Sequence, residues 1–319
     1  MTVPPILAEG LKRSFGDIEA VAGVDLEVAD GEIFGFLGPN GAGKSTTVRM
    51  LTTLLRPTGG RAMVAGHDVE SDAHEVRRCI GVALQDAAID PLMTGRELLA
   101  LQAVLHGIPR KRAADRGEEL LGRVGLTDAG DRRVGEYSGG MRRRLDLALS
   151  LIHEPIVLFL DEPTTGLDPS SRRNLWEEVR RLNTEFGTTV FLTTQYLEEA
   201  DELAERIAII DGGVIVREGT STALKEAVGA PTLRTEFAPD QLDAAEAVLD
   251  RFGEFRPARS GRLAIGLPGG AGSMADVVRA LDEAGLSADM MELHTPSLDD
   301  VFADATGRRL EGAGEGSDA

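Results

Sequence analysis

The chain has 319 residues, 42% of them hydrophobic, which is enough to bury a real core and long enough for two domains. Its formal charge of −19 offers no overall basic field to displace counterions, which argues against a nucleic-acid partner; the acidity reads as solubility. With Cys79 as its single cysteine it forms no internal disulfide and no cysteine zinc cluster, and a reduced, cytosolic setting fits.

Residues 1–9 lack a basic stretch followed by a long apolar core, so no signal peptide is expected. The first apolar run is 33–37. A helical pattern through Val48, Leu51, Leu54 and Leu55 follows, stopped by Pro57 and Gly59-Gly60. Cys79 adjoins the second run, 80–84, and is expected to be a small buried residue. Two more runs lie at 156–160 and 189–193. All four are rich in β-branched or bulky residues without clean alternation, as in strands buried on both faces. Helical patterns between them predict an α/β fold with a mostly parallel sheet. The densest run, 156–160, falls far short of the roughly 20 residues of a spanning helix, so the chain is not expected to cross a membrane by itself.

Each run is followed by polar or glycine-rich sequence: Gly38 onward, Gln85, Asp161-Glu162 and Gln195. Ligands bind beyond the carboxyl ends of parallel strands, so these four segments should meet at one edge. After them, residues 207–210 and 214–216 flank a turn at Asp211-Gly212-Gly213. Val228-Gly229-Ala230-Pro231 reads as a linker, dividing a first domain, 1–228, from a second, 229–307. The second predicts strands at 233–237, 262–267 and 288–293 and helices at 240–252, 274–285 and 298–306, a small α+β domain. Residues 308–319, rich in Gly, Glu and Ser, are expected to be a disordered tail. On the last helix Leu298, Val301 and Phe302 form an apolar stripe that either packs on its own sheet or docks on a partner.

Gly38-Pro39-Asn40-Gly41-Ala42-Gly43-Lys44-Ser45 matches the phosphate-binding loop in its required strand-to-helix setting. Glycines let backbone N–H groups turn toward phosphate oxygens, and the helix presents its positive end. Lys44 would meet the β- and γ-phosphates and the Ser45 hydroxyl would ligate Mg²⁺. Residues 156–160 end in Asp161 and Glu162, two carboxylates that are costly there unless something positive sits nearby. Asp161 suits Mg²⁺, and Glu162 could take a proton from an attacking water. Ser138 is a natural N-cap, and Gly139 and Gly140 leave that helix start open to an anion.

These motifs resemble those of ABC transporter ATPases over residues 1 to about 228: Walker A (38–45), the Q-loop Gln85, the signature 138–141, Walker B (156–162) and the D-loop Thr165-Gly166-Leu167-Asp168. The resemblance implies a P-loop NTPase fold with a helical signature subdomain, and ATP with Mg²⁺ as ligands. It also implies a head-to-tail dimer in which Ser138, Gly139 and Gly140 act on the partner's nucleotide. On the same basis Thr46 and Asp168 join the nucleotide site, Gln85 joins Ser45 and Asp161 at the metal, and Phe15 stacks on adenine unless it is a core residue. Catalysis falls to Glu162, Lys44 and Gln195. Two departures stand out: Met141 replaces the usual Gln, and Gln195 replaces the switch His. Gln195 can donate a hydrogen bond but bears no charge, which puts slower or differently coupled hydrolysis in play.

The segment 193–201, Tyr137 to Arg144 and the tail motif 296–302 look most like the daunorubicin-resistance exporter ATPases. That implies efflux of a hydrophobic drug or lipid, a separate ABC-2 type permease, a second ATPase subunit forming a homodimer, and a peripheral place on the cytoplasmic face of the membrane. The alternatives are a soluble ABC ATPase of translation or DNA repair and a nucleotide-gated regulator with little turnover. Arg142-Arg143-Arg144 reads as a solvated helix face or a contact with the permease or partner subunit. Trp176 reads as packing, and the scattered histidines give no metal spacing.

Overall fold

The computed structural model describes residues 3–84, 89–258 and 262–308. These separate into two compact units, one ending at Ser221 and the other opening at Thr222. Strands of the first unit are β1 (Ile6–Phe15), β2 (Ile18–Val28), β3 (Ile33–Leu37), β4 (Gly59–Val64), β5 (His67–Asp68), β6 (Ile80–Ala83), β7 (Val157–Asp161), β8 (Thr189–Thr194), β9 (Arg206–Asp211) and β10 (Val214–Gly219). Its helices are α1 (Lys44–Leu51), α2 (Ala73–Cys79), α3 (Gly95–Leu105), α4 (Arg110–Arg123), α5 (Gly139–Ser150), α6 (Pro169–Phe186) and α7 (Leu197–Leu203).

The central sheet runs β10-β9-β3-β8-β7-β6, parallel except for the edge strand β10. Successive side chains of a strand point to opposite faces. On β7, Val157 and Phe159 enter one core with Phe34, Phe36 and Phe191, while Leu158 and Leu160 enter another with Val190 and Leu192. Both faces are covered, which is why these runs read as continuously apolar rather than alternating. Phe191 is the hub of the first core. Its ring centroid lies 5.6 Å from that of Phe34, 5.4 Å from Phe36 and 5.6 Å from Phe159. That core is closed by a second sheet, β2-β1-β4-β5, and by α1; the other is closed by α3, α4, α5 and α6.

The antiparallel sheet has no counterpart in the sequence expectations. Val24, Leu26 and Val28 do alternate, but β1 carries register shifts between Ala8 and Leu11 and between Arg13 and Ser14. Gly10, at φ 53, sits in the first of them. Such bulges break the period-two signal. Other expectations also differ. Helix α1 stops at Leu51, because Thr53 turns left-handed at φ 65, and Leu54 is left exposed. Strand β7 starts at Val157, with Ile156 exposed. Cys79 is half-buried rather than buried, and burial still pushes its thiol up.

The second unit contains all but the first residue of α8 (Ser221–Val228), then β11 (Thr232–Glu236), α9 (Leu242–Leu249), β12 (Arg262–Gly266), α10 (Ala271–Glu283), β13 (Met290–His294) and α11 (Leu298–Thr306). Its antiparallel sheet has the order β12-β11-β13 and packs a core of Leu233, Phe237, Leu249, Ile265, Val277 and Leu281. Ser297 starts α11 with a capping box to Asp300. Leu298, Val301 and Phe302 are all buried, so the stripe is used within the chain and presents no docking face.

Candidate active site

The strand order places β3, β8, β7 and β6 side by side, and their registers align the carboxyl ends: Leu37 with Thr194, Thr193 with Asp161, Leu160 with Ala83. The predicted meeting at one edge is therefore present for the phosphate loop, Asp161-Glu162 and Gln195. Gln85 lies outside the described residues.

The loop after β3 bends where only glycine fits. A Cβ on Gly38 would stand 2.4 Å from the Ile210 carbonyl oxygen, and one on Gly43, at φ 109, 2.6 Å from that of Ala20. Asn40 and Gly41 form an exposed tip, Pro39 is half-buried and Ala42 buried. Gly43 is the N-cap of α1, so Lys44, Ser45 and Thr46 lie in a first turn whose N–H groups have no helical acceptor.

Lys44 Nζ donates to the carbonyls of Gly38 (2.8 Å) and Pro39 (3.0 Å) and pairs with Glu162 Oε1 at 3.2 Å. Both side chains are 4% exposed. Burial pushes the Lys44 ammonium down from its ordinary range, and the charges of Glu162 and Asp161 oppose that push. Asp161 Oδ1 accepts from Ser45 Oγ at 3.2 Å and from Thr193 Oγ1. Glu162 sits at φ 49, left-handed for a residue with a side chain. Its N–H donates to the Thr193 carbonyl (3.0 Å) and hydroxyl (3.2 Å), and Thr165 Oγ1 donates to its Oε2 at 3.4 Å.

Ser138 caps α5, accepting from Met141 N–H at 3.2 Å, and Ser138 and Gly139 are exposed. Half-buried Gly140 packs closely, since a Cβ there would lie 2.9 Å from Ser171 Oγ. Asp168 caps α6, accepting from the N–H and hydroxyl groups of Ser170 and Ser171, which hold its carboxyl well below the usual range. Phe15 is 46% exposed beneath the Arg13 guanidinium, which excludes the core alternative. Gln195 is half-buried just past β8.

The arginine triplet is a solvated face only in part: Arg142 is exposed, while Arg143 and Arg144 are half-buried. Arg142 donates to the carbonyls of Val134 (3.3 Å) and Gly135 (3.2 Å), and Arg144 to that of Val124 (2.7 Å). Arg143 reaches the end of β7 and is 11% exposed. Another contributor without a sequence signal is Glu199, fully buried on α7, where Trp176 Nε1 donates to it at 3.1 Å. Burial pushes the Glu199 carboxyl up.

Residues 21–165 match the family model for an ABC transporter. The chain is 49% identical to the daunorubicin resistance ATP-binding protein DrrA3 of Streptomyces coeruleorubidus, over 97% of this chain and 98% of that one. It is 42% identical to the doxorubicin resistance ATP-binding protein DrrA of Mycobacterium tuberculosis, over 93% and 92%. Among solved structures, a dimeric post-hydrolysis ATP-binding cassette bound to ADP and phosphate superposes with a TM-score of 0.62 at 26% identity, covering 67% of this chain and 98% of that one. Together with a phosphate loop that faces a buried acidic strand end, these likenesses show an ATP-binding, ATP-hydrolysing protein, and the chain belongs to the ABC transporter family.

Proposed function

We propose that this ATPase drives efflux of a hydrophobic drug or lipid through a separate ABC-2 type permease, as a homodimer on the cytoplasmic face of the membrane. The observation that carries it is the buried Lys44–Glu162 pair beside Asp161, in a chain similar over nearly its whole length to resistance ATP-binding proteins. Among the described residues no helix is long and apolar enough to cross a membrane, and the channel is assigned to the other polypeptide. Exposed Leu101, Val104 and Leu105 on α3 offer such a permease an apolar contact.

In this scheme residues 38–46 cradle the phosphates and Phe15 stacks on adenine. Ser45 and Asp161, with Gln85, would hold Mg²⁺; a hydroxyl and a carboxylate already in contact are hard oxygen donors that suit it. The ion's part is to neutralise charge developing on the phosphates. Lys44 exchanges Glu162 for phosphate oxygens, which frees that carboxylate to take a proton from water. Gln195 donates to the γ-phosphate side without charge. Ser138, Gly139 and Gly140 serve the partner's nucleotide. Asp168, bound up in its own cap, shapes the turn that reaches that interface.

The division into 1–228, 229–307 and 308–319 gives the second domain assembly rather than catalysis. All the phosphate-handling motifs precede residue 202. Residues 309–319 lie outside the described structure. Affinity capture from detergent-solubilised membranes tests both points, using the full chain and one truncated after Val228. The full chain should recover a polytopic membrane protein, and the truncated chain less of it. Recovery of ribosomes or DNA instead would overturn the transport role, and equal recovery by both chains would remove the assembly role.

A further inference from the structure

Arg143 lies in the second turn of α5, five residues beyond Ser138. Its guanidinium donates through Nε to the Pro163 carbonyl at 2.8 Å and through Nη2 to the Asp161 carbonyl at 2.9 Å. Through Nη1 it reaches the Leu84 carbonyl at 2.5 Å and Asp146 Oδ2 at 3.4 Å. Asp161 and Pro163 are the two neighbours of Glu162. One planar group therefore holds the carbonyls on both sides of a residue in a left-handed conformation, which persists only where the surroundings over-determine it. The third carbonyl belongs to Leu84, the residue before Gln85.

We propose that Arg143 is a positioning residue for ATP hydrolysis. It fixes the 161–163 turn that aims Glu162, and it ties that turn to the helix bearing Ser138 and to the residue preceding Gln85. The proposal rests on Glu162 acting as the base. Arginine suits the task because its rigid fork satisfies several acceptors at once, whereas a lysine ammonium on a flexible stem cannot span the same three carbonyls. A lost anchor lets the carboxylate wander, and misplacement by about 1 Å costs on the order of 10²-fold in rate.

The test uses the purified full chain, wild type, with Arg143→Ala, Arg143→Lys, Glu162→Gln and the Arg143→Lys/Glu162→Gln double variant. Turnover, affinity for a fluorescent ATP analogue and thermal midpoint are measured on each. Arg143→Ala should lower kcat by about 10²-fold with nucleotide affinity little changed, and Arg143→Lys should recover part of the loss. In the Glu162→Gln background Arg143→Lys should cost nothing further, because the group it positions is already disabled. Should Arg143→Ala fail to fold, the lysine variant and the double variant decide. Wild-type kcat in a folded Arg143 variant, or a loss in Arg143→Lys that simply multiplies that of Glu162→Gln, overturns the proposal. If Glu162→Gln itself turns over normally, the assignment of the base falls, and this inference with it.

Discussion

At the scale of single residues, the proposed base sits in a buried ion pair: Glu162 is 4% exposed and bonded to Lys44 at 3.2 Å. Glu162→Gln keeps the shape and removes the basicity. Turnover should fall by about 10²–10⁴-fold while ATP binding survives, as read by steady-state phosphate release beside nucleotide titration. Gln195 lies just past the end of β8, and its amide, proposed to meet the γ-phosphate, cannot carry a proton. Gln195→His should change turnover and leave binding nearly intact, and Gln195→Ala should fall below wild type; three equal rates would make the side chain a bystander. His153 gives the protein an acid-side liability. Its ring stacks on His106 with centroids 3.8 Å apart, Nε2 meets the Ile80 carbonyl at 2.9 Å, and Nδ1 is buried without a partner among the described residues. The carbonyl requires an Nε2–H, so a second proton would be an unpaired buried donor. Burial first, and His106 next, push the His153 pKa down from 6.5 to about 4. The unfolded chain takes up the proton first, so stability is lost as pH falls from about 6.5 to 4, by on the order of 2 kcal/mol after allowing for partial exposure of the ring. The thermal midpoint of His153→Phe should drop less than that of wild type between pH 7 and 4.5. Groups common to both proteins, including Asp146 with its pKa raised to about 6 by burial, cancel in the comparison.

At the scale of elements, β8 is the keystone, lying between the phosphate-loop strand β3 and the acidic strand β7. Its Phe191 touches rings from both neighbours and is fully buried. Phe191→Ala should cost about 3–5 kcal/mol in urea unfolding, with activity lost at lower temperature than in wild type. The four strands that build the site were legible because burial on both faces fills them with apolar and β-branched residues and leaves charged ones to their carboxyl ends. The β1–β2 hairpin was not, since bulges interrupt its alternation. Lys44, Ser45, Asp161 and Glu162 announced themselves by spacing and by the cost of adjacent carboxylates. Arg143 did not, because its acceptors are backbone carbonyls from sequence-distant segments, and a carbonyl looks the same at every residue. Glu199 was hidden for a related reason: nothing in 193–201 tells which of its acidic residues turns inward to Trp176.

At the scale of the whole molecule, the exposed cap at Ser138 belongs to a helix whose own subunit already supplies the phosphate loop. Trans assembly predicts that inactive Lys44→Ala and inactive Ser138→Arg subunits, mixed and shown to form heterodimers, recover one intact site. No gain over either parent would indicate that each subunit works alone. The sheet order carries a further consequence for how the protein is made. Among the described residues, strand β3 pairs with β8 and β9 alone, which begin at Thr189 and Arg206. A ribosome delivers residues 33–45 long before either neighbour exists, so the phosphate loop leaves the exit tunnel with its strand unpaired. Non-local pairing of this kind is slow and exposes sticky edges to other chains. The nascent chain therefore cannot assemble its nucleotide pocket until synthesis has passed β8. A shortened product ending anywhere before β8 would lack not one strand of the site but both partners of the strand that carries it.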